Sequence, residues 1–532
     1  MTIVTPVPFL RRRHHFGGGD LSGSLSAHED LLIWSLKINI CQRVLLLIER
    51  QGLMDPKVAS ATSSAIGELP RDLAARMRLC TAGWFASEGV QADSMVAVGK
   101  AMDFASLAHL RAQSSYSFPI SCVVHAVLFP HLVSMLLSSV VHTQPYDRFI
   151  ATSRTGLRAM EDLLTKTREQ LTGVYPSLRA SEVVLPRVAL APLGVDDLYT
   201  PADRGEARTR FGVPNEATVL LWVGRLTEHY KADLDPLLPA FRTLRQQSPR
   251  LHLVLAGNAS YPHYSAPQVA RSDQITVIEN FLRADKPFVY GRADIFVSPV
   301  DNIQETFGLT VLEAMASGLP VVASDWSGYR DLVVDNETGY LIRTVVDDRA
   351  WEEFDVLASF AASPVPEYHL ARQTVVDVDQ LTARLTNLVD VPSRRSQFGM
   401  AGRERVAKHF LWSKVIRDFG SVWEEQMAEF ASAPPGRLRG ISFRDVFRLY
   451  GTAPSSHRCL IVSSRASDVA EYRRAPSSVD AGVWVLEQCL DSSVPFDRFA
   501  ESGEQVRQAA LGLLKKGFLR VTAYVERSAI NR

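Results

Sequence analysis

Between Val219 and Ser324 the chain alternates short apolar runs with amphipathic stretches, and this alternation decides its fold class. Val219–Gly224 and Leu251–Gly257 each end in glycine, Ala293–Pro299 ends in proline, and Leu319–Ser324 carries two adjacent valines. A strand covered on both faces reads as a continuous apolar run, so these segments are expected to be buried parallel strands. Helical patterns such as Leu237–Gln247 and Leu309–Ser317 lie between them. Strand–helix–strand repetition predicts a doubly wound α/β domain over residues 213–395, with its ligand outside the carboxyl ends of the strands. Gly224-Arg225, Gly257-Asn258 and the segment from Pro299 onward fall at those ends.

Residues 1–200 follow the same grammar less cleanly. Thr2–Pro6, Pro119–Val124, Arg148–Thr152 and Val183–Leu190 are expected to be strands, and Phe104–Gln113 and Pro130–Val141 helices. A glycine triplet, Gly17-Gly18-Gly19, follows the first strand. Pro192-Leu193-Gly194-Val195-Asp196 leads into the linker between the two domains. Residues 396–432 read as helical, with Phe410, Trp412, Val415, Phe419 and Trp423 at near-helical spacing, a stripe that points to core packing. The breaker cluster Ala433-Pro434-Pro435-Gly436 then opens a separate module, 436–532. Its helical stretches Ala481–Leu490 and Gly503–Lys516, with a strand-like end, resemble a small winged-helix domain. A lid or a docking site for a peptide or protein partner is the expected role.

Composition narrows the function classes. The 532 residues carry 58 Lys plus Arg against 58 Asp plus Glu, so no nucleic-acid partner is expected. The five cysteines are scattered and form no CxxC pair, which argues against a disulfide framework or a zinc site and for a cytoplasmic protein. No apolar run has the length of a membrane span. The apolar side chains of 130–141 suggest core, with contact at the inner face of a membrane as the second reading.

The richest chemistry lies in Glu305-Thr306-Phe307-Gly308-Leu309-Thr310-Val311-Leu312-Glu313. Two carboxylates flank a glycine where a helix must begin. A helix start offers unpaired N–H groups and the positive end of the dipole, so it can hold a phosphate. The carboxylates can accept hydrogen bonds from sugar hydroxyls. A glycosidase pair instead needs two carboxyls facing across one bond, roughly 5–9 Å apart, and nothing in this spacing makes the side chains converge.

Together with Val223-Gly224-Arg225-Leu226, Lys231, Leu255-Ala256-Gly257, Ala293–Pro299, Glu305–Ala323 and Gly339-Tyr340-Leu341-Ile342, this stretch resembles the nucleotide-binding half of retaining GT-B glycosyltransferases, in particular family 4. Val124-His125, Ile150–Ser153 and Pro192–Asp196 extend the resemblance into the first half. It implies two Rossmann-like domains facing across a cleft, with helices 396–432 crossing back to the first, plus the small α+β C-terminal domain. By the same resemblance Arg225 and Lys231 clamp the donor diphosphate, Glu305 holds donor-sugar hydroxyls and Glu313 the ribose. The amides of Phe307, Gly308 and Leu309, with Gly18, Gly19, Gly224 and Asn258, border the donor. His125 lies near the reacting sugar on the acceptor side. The implied co-substrate is a nucleoside-diphosphate sugar, with no cofactor and no essential metal. Asp233-Leu234-Asp235 resembles a metal-binding DxD but is expected to cap a helix. Asp301–Gln304 and Ser324–Asp331 depart from the family's shorter segments. The competing expectation is a non-catalytic protein of the same fold that binds a partner through its C-terminal module.

Overall fold

The computed structural model describes residues 1–6, 23–48, 56–81, 85–86, 95–126, 130–196, 203–227, 231, 234–259, 274–361 and 365–433, together with 458–462, 494–495, 499, 506, 509–510 and 519–523. The chain divides into two compact units, Met1–Gly440 and Ile441–Arg532.

Two parallel sheets organise the first unit. One contains β1 (Thr2–Thr5), β2 (Arg43–Ile48), β3 (Met77–Thr81), β4 (Met95–Lys100), β5 (Ile120–Val124), β6 (Arg148–Ala151) and β7 (Arg187–Leu190), in the order β3-β2-β1-β4-β5-β6-β7. The other contains β8 (Thr218–Arg225), β9 (Leu251–Asn258), β10 (Ile275–Glu279), β11 (Ile295–Ser298), β12 (Val321–Ser324) and β13 (Gly339–Ile342), in the order β10-β9-β8-β11-β12-β13. Strand order reverses between β1 and β4 and between β8 and β11. A doubly wound sheet opens its ligand crevice at such a reversal, and both crevices border residues singled out above. The fold is thus two Rossmann-like α/β domains, as the alternation predicts.

Local chemistry explains where elements stop. The helix Leu309–Ala316 ends in a Schellman closure: Gly318, at φ +75°, donates to Met315 O at 2.9 Å, and Leu319 donates to Ala314 O at 3.0 Å. Leu319 is therefore spent on closing the helix, and β12 begins at Val321 rather than at Leu319. The helical run expected over 396–432 is two helices, Pro392–His409 and Trp412–Ser432. At the break, Val195 donates to Phe410 O at 2.9 Å and accepts from Trp412 N at 3.2 Å. A Cβ on Gly194 would lie 2.8 Å from Trp412 Cα, so only glycine admits this crossing.

The second of these helices returns to the first sheet. Trp423 Nε1 donates to Ser121 Oγ at 3.1 Å, and Gln426 Nε2 donates to Ile120 O and Tyr146 O, each at 3.0 Å. Trp412, Phe419 and Trp423 are buried, so the aromatic stripe is core. The helix Pro130–Ser139 turns Leu132, Met135 and Leu136 into the core of the first domain, which removes them from any lipid-facing role. Among the described residues no helix is long and apolar enough to cross a membrane.

In the second unit Arg458–Val462 pairs antiparallel with Val494–Pro495 and with Leu519–Ala523. Ala481–Leu490 lies outside the described residues, as does most of Gly503–Lys516; Val506, Ala509 and Ala510 are helical.

Candidate active site

The carboxyl edge of the second sheet is built around close backbone contacts. Gly224 of β8 lies opposite Gly257 of β9, and Arg225 opposite Asn258. A Cβ on Gly257 would run into the Gly224 carbonyl oxygen, so the two strands can meet here only through glycine. Gly224 is confined on its other side. An added Cβ would stand 2.7 Å from the Trp222 ring and 3.0 Å from Lys231 Cγ, so the Lys231 stem lies along the glycine backbone. Arg225, half-buried, ends the strand. Leu226 N donates to Asn258 O at 2.8 Å and ties this edge together.

Lys231 Nζ donates to Glu305 Oε2, and each side chain is only 13% exposed. Glu305 also lies close enough to Tyr329 to act on its hydroxyl. Burial, and then the Glu305 charge, push the Tyr329 hydroxyl well above its ordinary pKa. Tyr329 is fully buried with its hydroxyl 2.9 Å from Ser298 Oγ. Its ring forms the floor under Gly308, which starts the helix Leu309–Ala316 at φ +105°. Lys231 from the loop after β8, the Glu305 carboxylate and the helix start thus belong to one neighbourhood, at the β8/β11 reversal.

Two segments that depart from the family pattern support this loop. Trp326 Nε1 donates to Asn302 O at 3.1 Å, pinning the turn that precedes Glu305. Gly328 packs so closely on Thr306 and Phe307 that a Cβ would lie 2.6 Å from Phe307 Cα. Trp326 and Tyr329 therefore hold the Glu305–Gly308 loop in place.

Glu313 sits on the next turn of the helix, 6% exposed. Lys286 Nζ lies 2.6 Å from its Oε1 and Tyr290 OH donates to its Oε2 at 2.7 Å. The two glutamates face different partners and do not form a glycosidase-like pair.

The first domain reaches the same rim. Thr306 Oγ1 donates to His125 O at 2.7 Å. Arg154 N and Nε donate to Asp331 at 2.6 and 2.7 Å, and Thr155 Oγ1 donates to Ser327 O at 3.3 Å. His125 follows β5, and its Nε2 is buried without a hydrogen-bond partner among the described residues. Burial, helped by the Lys100 charge, lowers its pKa to about 3, so the ring is neutral. His28, on the helix Gly23–Lys37, stands beside it with Nε2 3.1 Å from Thr5 Oγ1. Its pKa is lowered well below the ordinary value by burial, then by His125 and Lys100.

These neutral histidines tie stability to pH. The unfolded chain protonates each near 6.5, whereas the folded protein does not, so the unfolded state binds more protons below that pH. The stability they contribute is complete above pH 6.5 and is lost as the pH falls toward the folded-state value, about 3 for His125. At pH 5 the expected loss from His125 is about 2 kcal/mol. Urea midpoints at pH 7 and pH 5 measure it. His125→Asn is expected to shrink the drop, and an unchanged drop contradicts the neutral assignment.

Of the residues singled out in the sequence, Gly224, Lys231, Glu305 and Gly308 gather at one place. Phe307 and Leu309 flank Gly308, Arg225 and Asn258 edge it, and His125 meets it from the other domain through Thr306. Gly18 and Gly19 lie outside the described residues, as does Asp233. The capping expectation for Asp233–Asp235 needs correction. The helix Leu237–Gln247 has Pro236 at its N-cap and no side-chain cap bond, and its first amides, Leu237 N and Leu238 N, donate to Leu234 O. No group of three or more His, Cys, Asp or Glu among the described residues is arranged to hold a metal ion. Sequence reading missed Lys286, Tyr290, Thr306, His28 and Lys100. Only the four-residue spacing of Lys286 and Tyr290 hinted at a shared task.

Comparison with known proteins agrees with this geometry. Residues 203–355 match the family described as glycosyl transferases group 1. A D-inositol 3-phosphate glycosyltransferase of Geodermatophilus obscurus is 37% identical over 280 residues, 50% of this chain and 53% of the relative. One of the same name from Stackebrandtia nassauensis is 32% identical over 213 residues, 38% of this chain and 46% of the relative. The chain thus spans about half the length of these curated relatives. Among solved structures, Anabaena HepE in complex with UDP-glucose superimposes with a TM-score of 0.51 at 16% identity, covering 81% of this chain and 99% of that one. A glycosyltransferase from Rickettsia africae gives 0.52 at 13% identity, covering 80% and 98%. At these identities the likeness shows the fold, which is that of GT-B glycosyltransferases.

Proposed function

We propose that this chain is a retaining glycosyltransferase of family 4 type that moves a sugar from a nucleoside diphosphate to an acceptor held by the first domain. The observation that carries the reading is the Lys231–Glu305 pair beside the Gly308 helix start, at the β8/β11 crevice.

Lys231 and Glu305 serve as each other's partner. A donor replaces that contact with two better ones. Lys231 turns to the diphosphate, with Arg225 and the amides at Gly308 and Leu309, and Glu305 is released to accept from the sugar hydroxyls. Negative charge grows on the diphosphate as the glycosidic bond breaks, so cations and aligned amides stabilise the transition state more than the ground state. The bond from the anomeric carbon to the phosphate oxygen breaks while a bond to the acceptor oxygen forms on the same face. The acceptor proton passes to the departing phosphate oxygen, so no protein nucleophile is needed. A neutral His125 presents an uncharged imidazole to the reacting sugar. The bonds from Thr306, Thr155 and Arg154 hold the two rims together, which orients the reactants and excludes water.

The family match is confined to the second domain, so it supports donor handling and leaves the acceptor open. The UDP-glucose bound by Anabaena HepE makes a uridine donor the first to test. A thermal-shift panel of UDP, GDP, ADP and dTDP sugars is expected to give one base with clear stabilisation, and mass spectrometry then identifies the transferred group. Stabilisation without transfer to any member of a broad acceptor panel favours the non-catalytic reading instead.

A further inference from the structure

We propose that Arg283 is a positioning residue that keeps the two Rossmann-like domains in register. Its guanidinium, from the second domain, fills a socket of two carboxylates, Asp30 on the first domain and Asp196 at the linker. The kinetic consequences rest on the donor reading above; the latch itself does not.

Three segments far apart in sequence meet here. Arg283 opens the single turn Arg283–Asp285, which leads into the helix Lys286–Gly291. Asp30 lies on the helix Gly23–Lys37. Asp196 follows Val195, the residue tied to Phe410 and Trp412 where the chain crosses between domains. Arg283 Nη2 lies 2.7 and 2.8 Å from the two Asp30 oxygens and 3.1 Å from Asp196 Oδ2. Trp34 Nε1 donates to Asp196 Oδ1 at 2.7 Å. Trp34 stands one helical turn beyond Asp30 on the same face, so this bond sets Asp196 beside Asp30 without help from the second domain.

The Asp30 and Asp196 side chains are only 14% and 16% exposed. Burial raises the Asp30 carboxyl above its ordinary pKa, Arg283 opposes the rise, and the Asp196 charge adds to it, with Lys286 the other cation acting there. Two like charges held together away from water repel unless a cation stands between them. Arginine suits the place, since its planar fork stays charged and can meet two carboxylates at once. Separating the domains withdraws the cation and leaves the carboxylates facing each other. The charges therefore favour the docked arrangement.

The latch bears on the reaction through the elements it joins. His28, on the same helix as Asp30, stands beside His125 on the acceptor side. Lys286, which begins the helix after Arg283, holds Glu313 on the donor side. A shift between these elements changes the distance between donor and acceptor, and a misplacement of about 1 Å can cost up to about 100-fold in rate.

The test combines Arg283→Met with Asp30→Asn in the whole chain. Arg283→Met is expected to lower kcat for transfer about 10-fold and to raise the ratio of donor hydrolysis to transfer about 5-fold, with thermal stabilisation by the donor unchanged. Arg283→Lys keeps the charge and is expected to lose no more than about 3-fold. Asp30→Asn removes the repulsion that Arg283→Met exposes, so the double variant is expected to recover at least about 3-fold of the lost kcat, where two independent lesions give a further loss. A side chain that only packs gives no such recovery. Unchanged kcat and hydrolysis ratio in Arg283→Met overturn the proposal, and so does a double variant no better than Arg283→Met alone. Should Arg283→Met fail to fold, a double variant that folds supports the socket and one that does not overturns it. Small-angle scattering reads the latch without turnover. Arg283→Met is expected to have a larger radius of gyration than the unaltered protein, and the double variant to return toward it. If the unaltered protein transfers no sugar, the donor reading fails and scattering decides, equal radii in all three proteins overturning the latch.

Discussion

Replacing Lys231 by alanine lowers sugar transfer at least about 100-fold, the scale of removing one preorganised charge donor from a developing anion. Glu305→Ala is expected to do the same from the sugar side. Each effect falls mainly on kcat, because diphosphate charge and sugar reorganisation peak in the transition state. The structure adds a qualification that a motif alone does not supply. Lys231 and Glu305 are partners and both are mostly buried, so each single variant takes from the other its ion-pair partner. That costs stability on the order of 1–3 kcal/mol. Melting temperatures recorded beside initial rates separate the two effects, since a loss of that size leaves a folded enzyme. Near-normal turnover in both variants defeats the assignment.

The second large effect is expected at Gly308. Alanine there must adopt φ +105° and place its Cβ 2.5 Å from Tyr329 Cδ1. The backbone strain and the overpacking each cost about 1–3 kcal/mol. Tyr329 cannot move aside easily, because it is fully buried and its hydroxyl is bonded to Ser298. The helix start must shift instead, taking its amides away from the diphosphate. Gly308→Ala is therefore expected to unfold at lower denaturant and, where still folded, to lose nucleotide-dependent stabilisation. A variant with unchanged stability and unchanged nucleotide response contradicts the account of this turn.

The second domain was far more legible in the sequence than the first. β8, β9, β11 and β12 announce themselves as apolar runs closed by glycine, proline or serine, and the helix Leu237–Gln247 has the bounds its pattern predicts. β2, β3, β4 and β10 did not stand out. Arg43–Ile48 and Met95–Lys100 are short apolar runs, and periodicity does not separate such a run from a buried helical segment.

The site shows the same division. Spacing alone marks Glu305, Gly308 and Glu313, because a helix start between carboxylates is a local pattern. What these residues touch is not local. Thr306 bonds to His125 across 181 positions, and Lys286 reaches Glu313 across 27. Lys286 reads as an ordinary charged residue at a helix start, and His28 as one polar residue within a helix. Only the fold shows that one partners a carboxylate and that the other is kept neutral.

The central claim is tested most directly by determining the structure with the nucleoside-diphosphate sugar that stabilises the protein most. The account predicts pyrophosphate oxygens about 3 Å from Lys231 Nζ and from the amides at Gly308 and Leu309, with the Lys231–Glu305 contact broken and Glu305 turned to the sugar. A diphosphate bound elsewhere, with Lys231 still held by Glu305, contradicts it.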